Sequence, residues 1–316
     1  MGIVGSAVRI GASAALAAAM GAGVAAVAGA PAAGALRSGV NTVAPSYYIA
    51  VGASEAVGYQ PLPGLHHGAP TTSGYANDLV RTEQSRWPGL ALTELGCPGI
   101  TSVAALTGVS PGLPGISSAG KGHSCRYPAG SEVATAVQLL RQRAGRTVLA
   151  TVDLGFNDVW PCLRHDVVDQ ACVSAGLQQV RQSLPAILAR LRAAGGPHLT
   201  IVGLEHSDPY LAEFLRGQAA FARASEIVID KLNNELAAIY TAAGALVANV
   251  PGAYHTDSRA RVSSARHGSV SQGVAQTCAL TWMCTPEHNL HPNVAGYRAI
   301  ADAVAAAITA GPVLGA

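Results

Sequence analysis

Residues 47–59 read YYIAVGASEAVGY, and this stretch decides the fold. Its first five residues are aromatic, β-branched or small and apolar, which is typical of a buried strand. The chain then turns at Gly52 and places Ser54 directly behind the strand. A serine on a tight turn after a buried strand is a candidate nucleophile, because the sheet fixes the position of its hydroxyl.

Further along the chain, strands alternate with long helices. Apolar runs at 147–154, 199–204 and 245–250 predict buried strands, and periodic apolar residues predict helices over 130–144, 175–194, 214–243 and 294–308. Residues 74–94 predict a helix interrupted at Trp87-Pro88, and residues 92–101 predict a strand end and a Gly-Pro-Gly loop before a short helix from Thr101. Residues 251–286 predict an irregular polar segment. The alternation predicts a three-layer α/β/α domain with a mostly parallel sheet and helices on both faces.

The composition narrows the class of protein. The chain has 316 residues, of which 49% are hydrophobic and 12% are charged, so it is not an intrinsically disordered protein. Its formal net charge is +2 and it has no basic run, which excludes the electrostatic pattern of a nucleic-acid-binding protein. We expect a monomer whose partner is a small molecule or a lipid.

The N-terminal region differs from the rest of the chain. Residues 1–35 carry one early charge, Arg9, followed by a run of Ala, Gly and Val with an A-x-A cleavage site at Ala28-Gly29-Ala30. This pattern predicts a secretory signal peptide, with an uncleaved N-terminal anchor as the alternative. Residues 36–316 then form one domain that is secreted or held at the cell surface, where it can associate with the membrane or cell wall.

Six cysteines agree with export from the cell. They fall into neighbouring pairs, which we predict to be the disulfides Cys97–Cys125, Cys162–Cys172 and Cys278–Cys284. The alternative is metal binding, but the chain has no C-x-x-C and its cysteines are not interleaved with histidines at zinc spacing.

Four positions that suit catalysis follow predicted strands or precede a helix. They are Ser54, Gly99, Asn157 and His291. Ligands of α/β sheets bind at the carboxyl ends of the strands, so these residues can share one cleft. A serine needs a base, which histidine supplies, and a tetrahedral oxyanion needs donors such as the Ser54 and Gly99 N–H groups and the Asn157 amide.

At these positions the chain resembles the SGNH (GDSL-type) hydrolases, and most closely their secreted actinobacterial esterase and lipase branch. Gly52-Ala53-Ser54 matches the nucleophile block, Gly99 the glycine block, residues 155–158 (GFND) the G-x-N-D block, and His291-Pro292-Asn293 the histidine block. The resemblance implies a flavodoxin-like fold, a serine esterase or lipase, and no cofactor or metal. It implies Ser54 as nucleophile, His291 as base, and an oxyanion hole from Ser54, Gly99 and Asn157.

The chain departs from the family pattern twice. Ala53 replaces the usual aspartate of G-D-S, and His288 stands where the family's acid lies, three residues before His291. A histidine cannot orient the base as an anion. We therefore expect the His288 backbone carbonyl to hold His291, with Glu287, Asn289 or a distant carboxylate as alternatives.

Three other hypotheses remain at this point. The same fold supports a carbohydrate O-deacetylase, and the two departures are compatible with a catalytically inactive binding protein at the cell surface. A metal site at Glu287, His288 and His291, joined by His255 or His267, is the third. For the esterase, the ordinary pKa of histidine predicts activity that rises with pH around 6.5.

Overall fold

The computed structural model describes residues 45–62, 68–110, 125–164, 167–264 and 266–311. The predicted signal peptide lies outside these residues. The strands are β1 (Tyr47–Gly52), β2 (Gln60–Pro61), β3 (Gly68–Ala69), β4 (Ala91–Glu94), β5 (Thr147–Asp153), β6 (Leu163–Arg164), β7 (Val167–Val168), β8 (Thr200–Leu204), β9 (Leu246–Ala248), β10 (Arg261–Ser264), β11 (Gly268–Ser271), β12 (Thr281–Trp282) and β13 (Asn289–Pro292).

Helices connect the strands of the sheet. They are α1 (Tyr75–Glu83), α2 (Ser102–Thr107), α3 (Glu132–Gln142), α4 (Phe156–Val159), α5 (Gln170–Gly195), α6 (Ala219–Ala242), α7 (Val250–Ala253), α8 (Gln272–Leu280) and α9 (Val294–Ala310). Short 3-10 turns cover Glu55–Val57, Trp160–Cys162 and Pro209–Arg216. No helix within the described part of the chain is long and apolar enough to span a membrane.

The central sheet has five parallel strands in the order β4-β1-β5-β8-β9. The chain moves from β1 outward to the edge strand β4 and then crosses back to β5. This is the flavodoxin-like order, in which the direction of winding reverses between β1 and its neighbour β5. The predicted three-layer α/β/α fold with a parallel sheet is therefore confirmed.

Alternation along β1 explains the two apolar layers. Ile49 and Val51 belong to the core on one side of the sheet, together with residues of α3, α5 and α6. Tyr48 and Ala50 belong to the core on the other side, together with residues of α1 and α9. Successive side chains of a strand point to opposite faces, so a central strand covered by helices on both faces is apolar at every position.

Two segments differ from their sequence prediction. Residues 74–94 were expected to be helical, but α1 ends at Glu83 and β4 begins at Ala91, so that only the expected strand end at 92–94 and the short helix from Thr101 agree with the structure. Residues 251–286 were expected to be irregular, but they contain α7, the β10–β11 hairpin, α8 and β12. A turn that includes Trp87-Pro88 separates α1 from β4, and α8 buries only Gly273, Val274 and Thr277, which gives its sequence little apolar periodicity.

The three predicted disulfides are present in the structure. Each closes a loop near the carboxyl ends of the strands. Cys97 follows β4, Cys162 ends the 3-10 turn behind α4, and the Cys278–Cys284 bridge joins α8 to the segment just after β12. The bridges therefore restrain the loops beyond the sheet rather than the sheet itself.

Candidate active site

A cavity of about 210 Å³ opens where β1 and β5 end, at the point where the winding of the sheet reverses. Its wall includes all four residues predicted from the motifs, Ser54, Gly99, Asn157 and His291. The rest of the wall is partly aromatic, from Tyr59, Phe156 and Trp160. The position agrees with the rule that doubly wound sheets bind ligands at the switch point.

The turn that carries Ser54 is tightly packed against β5. A Cβ added at Gly52 would lie 2.6 Å from the Asp153 carbonyl oxygen, so only glycine allows β1 and β5 to approach this closely. The Gly52 N–H donates to Glu132 Oε1 at 2.6 Å, and the Ala53 N–H donates to the Asp153 carbonyl at 3.0 Å. The turn is thus hydrogen-bonded although Ala53 replaces the family's aspartate.

The loops of Gly99 and Asn157 are joined to each other. Asp158 accepts hydrogen bonds from the Ser102 N–H at 2.9 Å and the Ser102 hydroxyl at 2.7 Å, and Asn157 Nδ2 donates to the Ile100 carbonyl at 3.1 Å. Gly99 has a φ of +80°, a conformation that favours glycine. These contacts fix the two loops on the same side of the cavity.

The His291 ring is oriented by Asn289. Asn289 Oδ1 lies 2.6 Å from His291 Nδ1 and accepts the backbone N–H of His291 at 3.0 Å. The backbone N–H can only donate, which identifies the facing atom of Asn289 as its oxygen. Nδ1 therefore carries the hydrogen, and the other ring nitrogen, Nε2, is free to act as a base.

Among the described residues, the hydrogen-bond partner of His291 Nδ1 is the side chain of Asn289, one of the expected alternatives, and not the expected His288 backbone carbonyl. The His288 ring turns to Glu213, with Nε2 2.8 Å from Glu213 Oε1, and neither His288 nor Glu287 lines the cavity. The reason is local: in an extended strand, residues two apart point to the same face, so Asn289 rather than His288 shares the face of His291. The metal set of Glu287, His288 and His291 is also divided, because the His288 ring contacts Glu213 and only His291 of the three lines the cavity.

Burial changes the chemistry of His291. The ring packs against Tyr59 with centroids 4.5 Å apart, and burial lowers the pKa of His291 from 6.5 to about 4. The imidazole is then neutral at physiological pH, as a general base requires. Among the described residues no hydrogen bond links Ser54 to His291, and the two side chains are brought together by the shared cavity wall.

The structure brings a further polar cluster to this cavity. Glu55, Asp153 and His206 offer ligand atoms that all lie within 4.8 Å of one another, and all three residues line the cavity. The sequence analysis missed them, although Asp153 ends a buried strand and His206 follows another, as Asn157 does. A second cluster, of His267, Cys278 and Cys284, has both sulfurs in a disulfide and is not a thiolate site.

Comparison with known proteins places the chain in a family. The GDSL-like Lipase/Acylhydrolase family matches residues 50–299. No curated protein matches the sequence. Similar solved structures include the acetylxylan esterase Axe2 from Geobacillus stearothermophilus, with 16% identity and a TM-score of 0.49 over 83% of this chain and 94% of that one.

Another similar structure is phospholipase A1 from Streptomyces albidoflavus NA297, with 14% identity and a TM-score of 0.46 over 84% of this chain and 100% of that one. The family match includes the Ser54 turn, the Gly99 and Asn157 loops and His291, all of which meet at one cavity. This chain therefore belongs to the GDSL-like lipase/acylhydrolase family and is an enzyme that hydrolyses ester bonds.

Proposed function

We propose that the protein hydrolyses carboxylic esters with Ser54 as nucleophile and His291 as general base. The observation that carries the proposal is the contact between Asn289 Oδ1 and His291 Nδ1, which leaves a neutral Nε2 on a ring that lines the same cavity as Ser54. A base that is oriented by a third group is the arrangement that activates a serine.

The reaction proceeds in two balanced steps. His291 Nε2 takes the proton of the Ser54 hydroxyl while Oγ bonds to the ester carbonyl carbon, and the carbonyl oxygen becomes an oxyanion. The oxyanion then re-forms the carbonyl, the bond to the alcohol breaks, and His291 gives its proton to the departing alcohol. Water repeats the sequence on the acyl-enzyme, which releases the carboxylic acid and restores Ser54.

The oxyanion is stabilised by three donors in this mechanism. They are the Ser54 N–H, the Gly99 N–H and the Asn157 side-chain amide. One hydrogen of Asn157 Nδ2 is taken by the Ile100 carbonyl, which holds the amide in place and leaves its second hydrogen for the substrate. Loss of one such donor typically lowers the rate about 100- to 1,000-fold.

The size and lining of the cavity favour a short acyl group. A volume of about 210 Å³ is below the roughly 300–1,000 Å³ of sites for drug-sized ligands. A short acyl group fits this volume, whereas a long fatty acyl chain has to leave the cavity. The proposed activity is therefore that of a short-chain esterase.

The aromatic wall favours carbohydrate O-deacetylation as a second candidate. Tyr59, Phe156 and Trp160 lie along the cavity, and flat aromatic faces suit the apolar face of a sugar ring. Equal kcat/KM for acetylated sugars and simple aryl acetates would reject a sugar preference. A preference for the sugar esters that is lost in Trp160→Ala but not in the matched Trp87→Ala variant would support it.

Three disulfides support the further proposal that the enzyme works outside the cytosol, because such bridges persist in oxidising compartments. Fractionation of cells that express the full chain tests this proposal. Recovery of the protein from the medium or the cell surface is expected, and recovery in the cytosol with reduced cysteines would contradict it.

A fluorophosphonate trap tests the mechanism. The folded, oxidised protein is treated with the probe, and the adduct is located by peptide mass spectrometry. We expect the label on Ser54, loss of the label in His291→Ala, and full labelling in the control Ser174→Ala, whose serine lies exposed on α5. A folded protein without label on Ser54 would favour the inactive binding protein.

A further inference from the structure

The cluster of Glu55, Asp153 and His206 is not used by the proposed serine mechanism. Three separate elements build it: Glu55 follows the nucleophile, Asp153 is the last residue of β5, and His206 lies two residues beyond β8. Asp153 and His206 are almost fully buried, with 1% and 4% of their side chains exposed, while Glu55 is 23% exposed. The cluster is therefore a built part of the cavity wall rather than a surface feature.

His206 carries its hydrogen on Nε2, which leaves Nδ1 as an acceptor. Nε2 lies 3.5 Å from the Leu154 carbonyl oxygen, which can only accept, so Nε2 carries the hydrogen. The lone pair of Nδ1 then faces Glu55 Oε2 at 3.9 Å and Asp153 Oδ1 at 3.8 Å.

When both carboxyl groups are ionised, the three groups offer only acceptor atoms to the space between them, and no hydrogen bond joins them to one another in the described structure. In addition, Asp153 Oδ2 is buried and has no hydrogen-bond partner among the described residues. A buried carboxylate oxygen without a partner is costly, and buried charges are usually paired or bound to a metal ion. The two carboxylates carry a charge of −2 when ionised, which a divalent cation balances.

We propose that Glu55, Asp153 and His206 bind one divalent metal ion of the Zn²⁺ or Mn²⁺ type. A mixed set of one imidazole and two carboxylates suits these ions better than Ca²⁺, which prefers oxygen ligands alone. The contact of Nε2 with the Leu154 carbonyl matches the usual support of a metal-binding histidine, whose second nitrogen donates to a backbone carbonyl.

The three ligand atoms, all within 4.8 Å of one another, lie farther apart than they would around a bound ion. Tetrahedral ligands at bonds of about 2.1 Å lie roughly 3.4 Å apart, so the observed separations of 3.8 and 3.9 Å must shorten by about 0.4 Å. Rotation of Glu55, the most exposed of the three side chains, can shorten its own separation from His206, whereas Asp153 and His206 must approach each other within the buried wall. Because the cluster lines the cavity, the ion keeps a coordination position that faces the cavity.

Metal binding to the untagged full chain tests this proposal. The protein is stripped with EDTA and dialysed, and binding of Zn²⁺ and Mn²⁺ is measured by calorimetry while Co²⁺ is followed by its visible absorption. We expect one ion per chain, and Glu55→Gln and His206→Gln each to raise Kd at least about 10-fold. Asp153→Asn should do the same where thermal unfolding shows that it folds.

Matched controls separate this site from other ligands. Glu235→Gln and His198→Gln change one side chain on α6 and one just after α5, both outside the cavity, and should leave Kd unchanged. Ser54→Ala should bind the ion as the unmodified protein does, so failure of the esterase mechanism and failure of this proposal are distinguishable. A folded protein that binds no stoichiometric ion, or binding that persists in both Glu55→Gln and His206→Gln, would overturn it.

Discussion

Asn289 Oδ1 lies 2.6 Å from His291 Nδ1, so a neutral amide rather than a carboxylate orients the histidine. We expect Asn289→Ala to lower kcat/KM roughly 10- to 100-fold, because the ring loses both its orientation and its preferred tautomer. Steady-state kinetics on a short-chain aryl ester measures this effect. Asn234→Ala, at an exposed position of α6, is the matched control.

Asn289→Asp tests whether the acceptor oxygen at this position, which Asn289→Ala removes, is what orients His291. A carboxylate in the same place still accepts from Nδ1 and from the His291 N–H, and its charge favours the imidazolium. We expect activity to be kept and the apparent pKa of His291 to rise. Loss of activity in Asn289→Asp equal to that in Asn289→Ala would show that the contact does not orient the base.

The pH dependence of activity follows from the burial of His291. Burial lowers the pKa of this histidine to about 4, so its neutral, basic form is present throughout pH 5–8. We expect kcat/KM to be limited by His291 only below about pH 5, with a midpoint near 4, instead of the 6.5 expected from the sequence. A decrease in kcat/KM centred near pH 6.5 that remains in both Glu55→Gln and Asp153→Asn would contradict this assignment, because neither carboxyl group of the cavity could then cause it.

Asp158 joins the two loops that carry the proposed oxyanion donors Gly99 and Asn157. It is fully buried and accepts both the N–H and the hydroxyl of Ser102. We expect Asp158→Ala to lower the free energy of unfolding by about 1–3 kcal/mol for each unpaired group and to lower kcat as the loops of Gly99 and Asn157 separate. Urea unfolding and kinetics measure the two effects, with the exposed Asp302→Asn as control.

Asp158 also links stability to pH. Burial raises the pKa of Asp158 from 3.8 to about 7, so between these values the folded chain holds a proton that the unfolded chain has lost. The contribution of Asp158 to stability is then full below about pH 4 and falls as pH rises towards 7. The difference in unfolding free energy between the native chain and Asp158→Asn should follow this slope, and a pH-independent difference would contradict the raised pKa.

The main features of the fold were predictable because the central strands are continuous apolar runs in the sequence. The run before Ser54 and the run that ends at Asp153 are apolar at nearly every position, so both faces of each strand must be covered by helices. The alternation of such strands with helices indicates a parallel sheet. The segment around α8 was not predictable, because α8 buries only Gly273, Val274 and Thr277, which gives no periodic apolar pattern in the sequence.

The site was predictable in its residue types but not in its contacts. Order along the chain pointed to Ser54 and His291, whereas the choice of Asn289 over His288 depends on which residues share a face of β13. The cluster of Glu55 and His206 forms only when β1 and β8 are placed in one sheet, with β5 between them. Long-range proximity of this kind is not encoded in any local spacing.

Removal of the Cys278–Cys284 bridge should affect activity more than stability. The bridge closes a loop of 6 residues, compared with 28 for Cys97–Cys125, so chain entropy predicts losses of about 2 and about 3.6 kcal/mol when each bridge is removed. Yet the short loop contains β12, which pairs with the strand that carries Asn289 and His291.

We therefore expect replacement of Cys278 and Cys284 by serine to lower kcat more than the same change at Cys162 and Cys172. The loss of stability should have the opposite order, because the Cys162–Cys172 bridge closes a loop of 10 residues and the Cys278–Cys284 bridge a loop of 6. Kinetics at a temperature where both variants are folded, combined with denaturant unfolding, gives the two rankings. If activity followed stability in both variants, the bridge would only strengthen the fold, and the position of His291 would depend on Asn289 and the β12–β13 pairing alone.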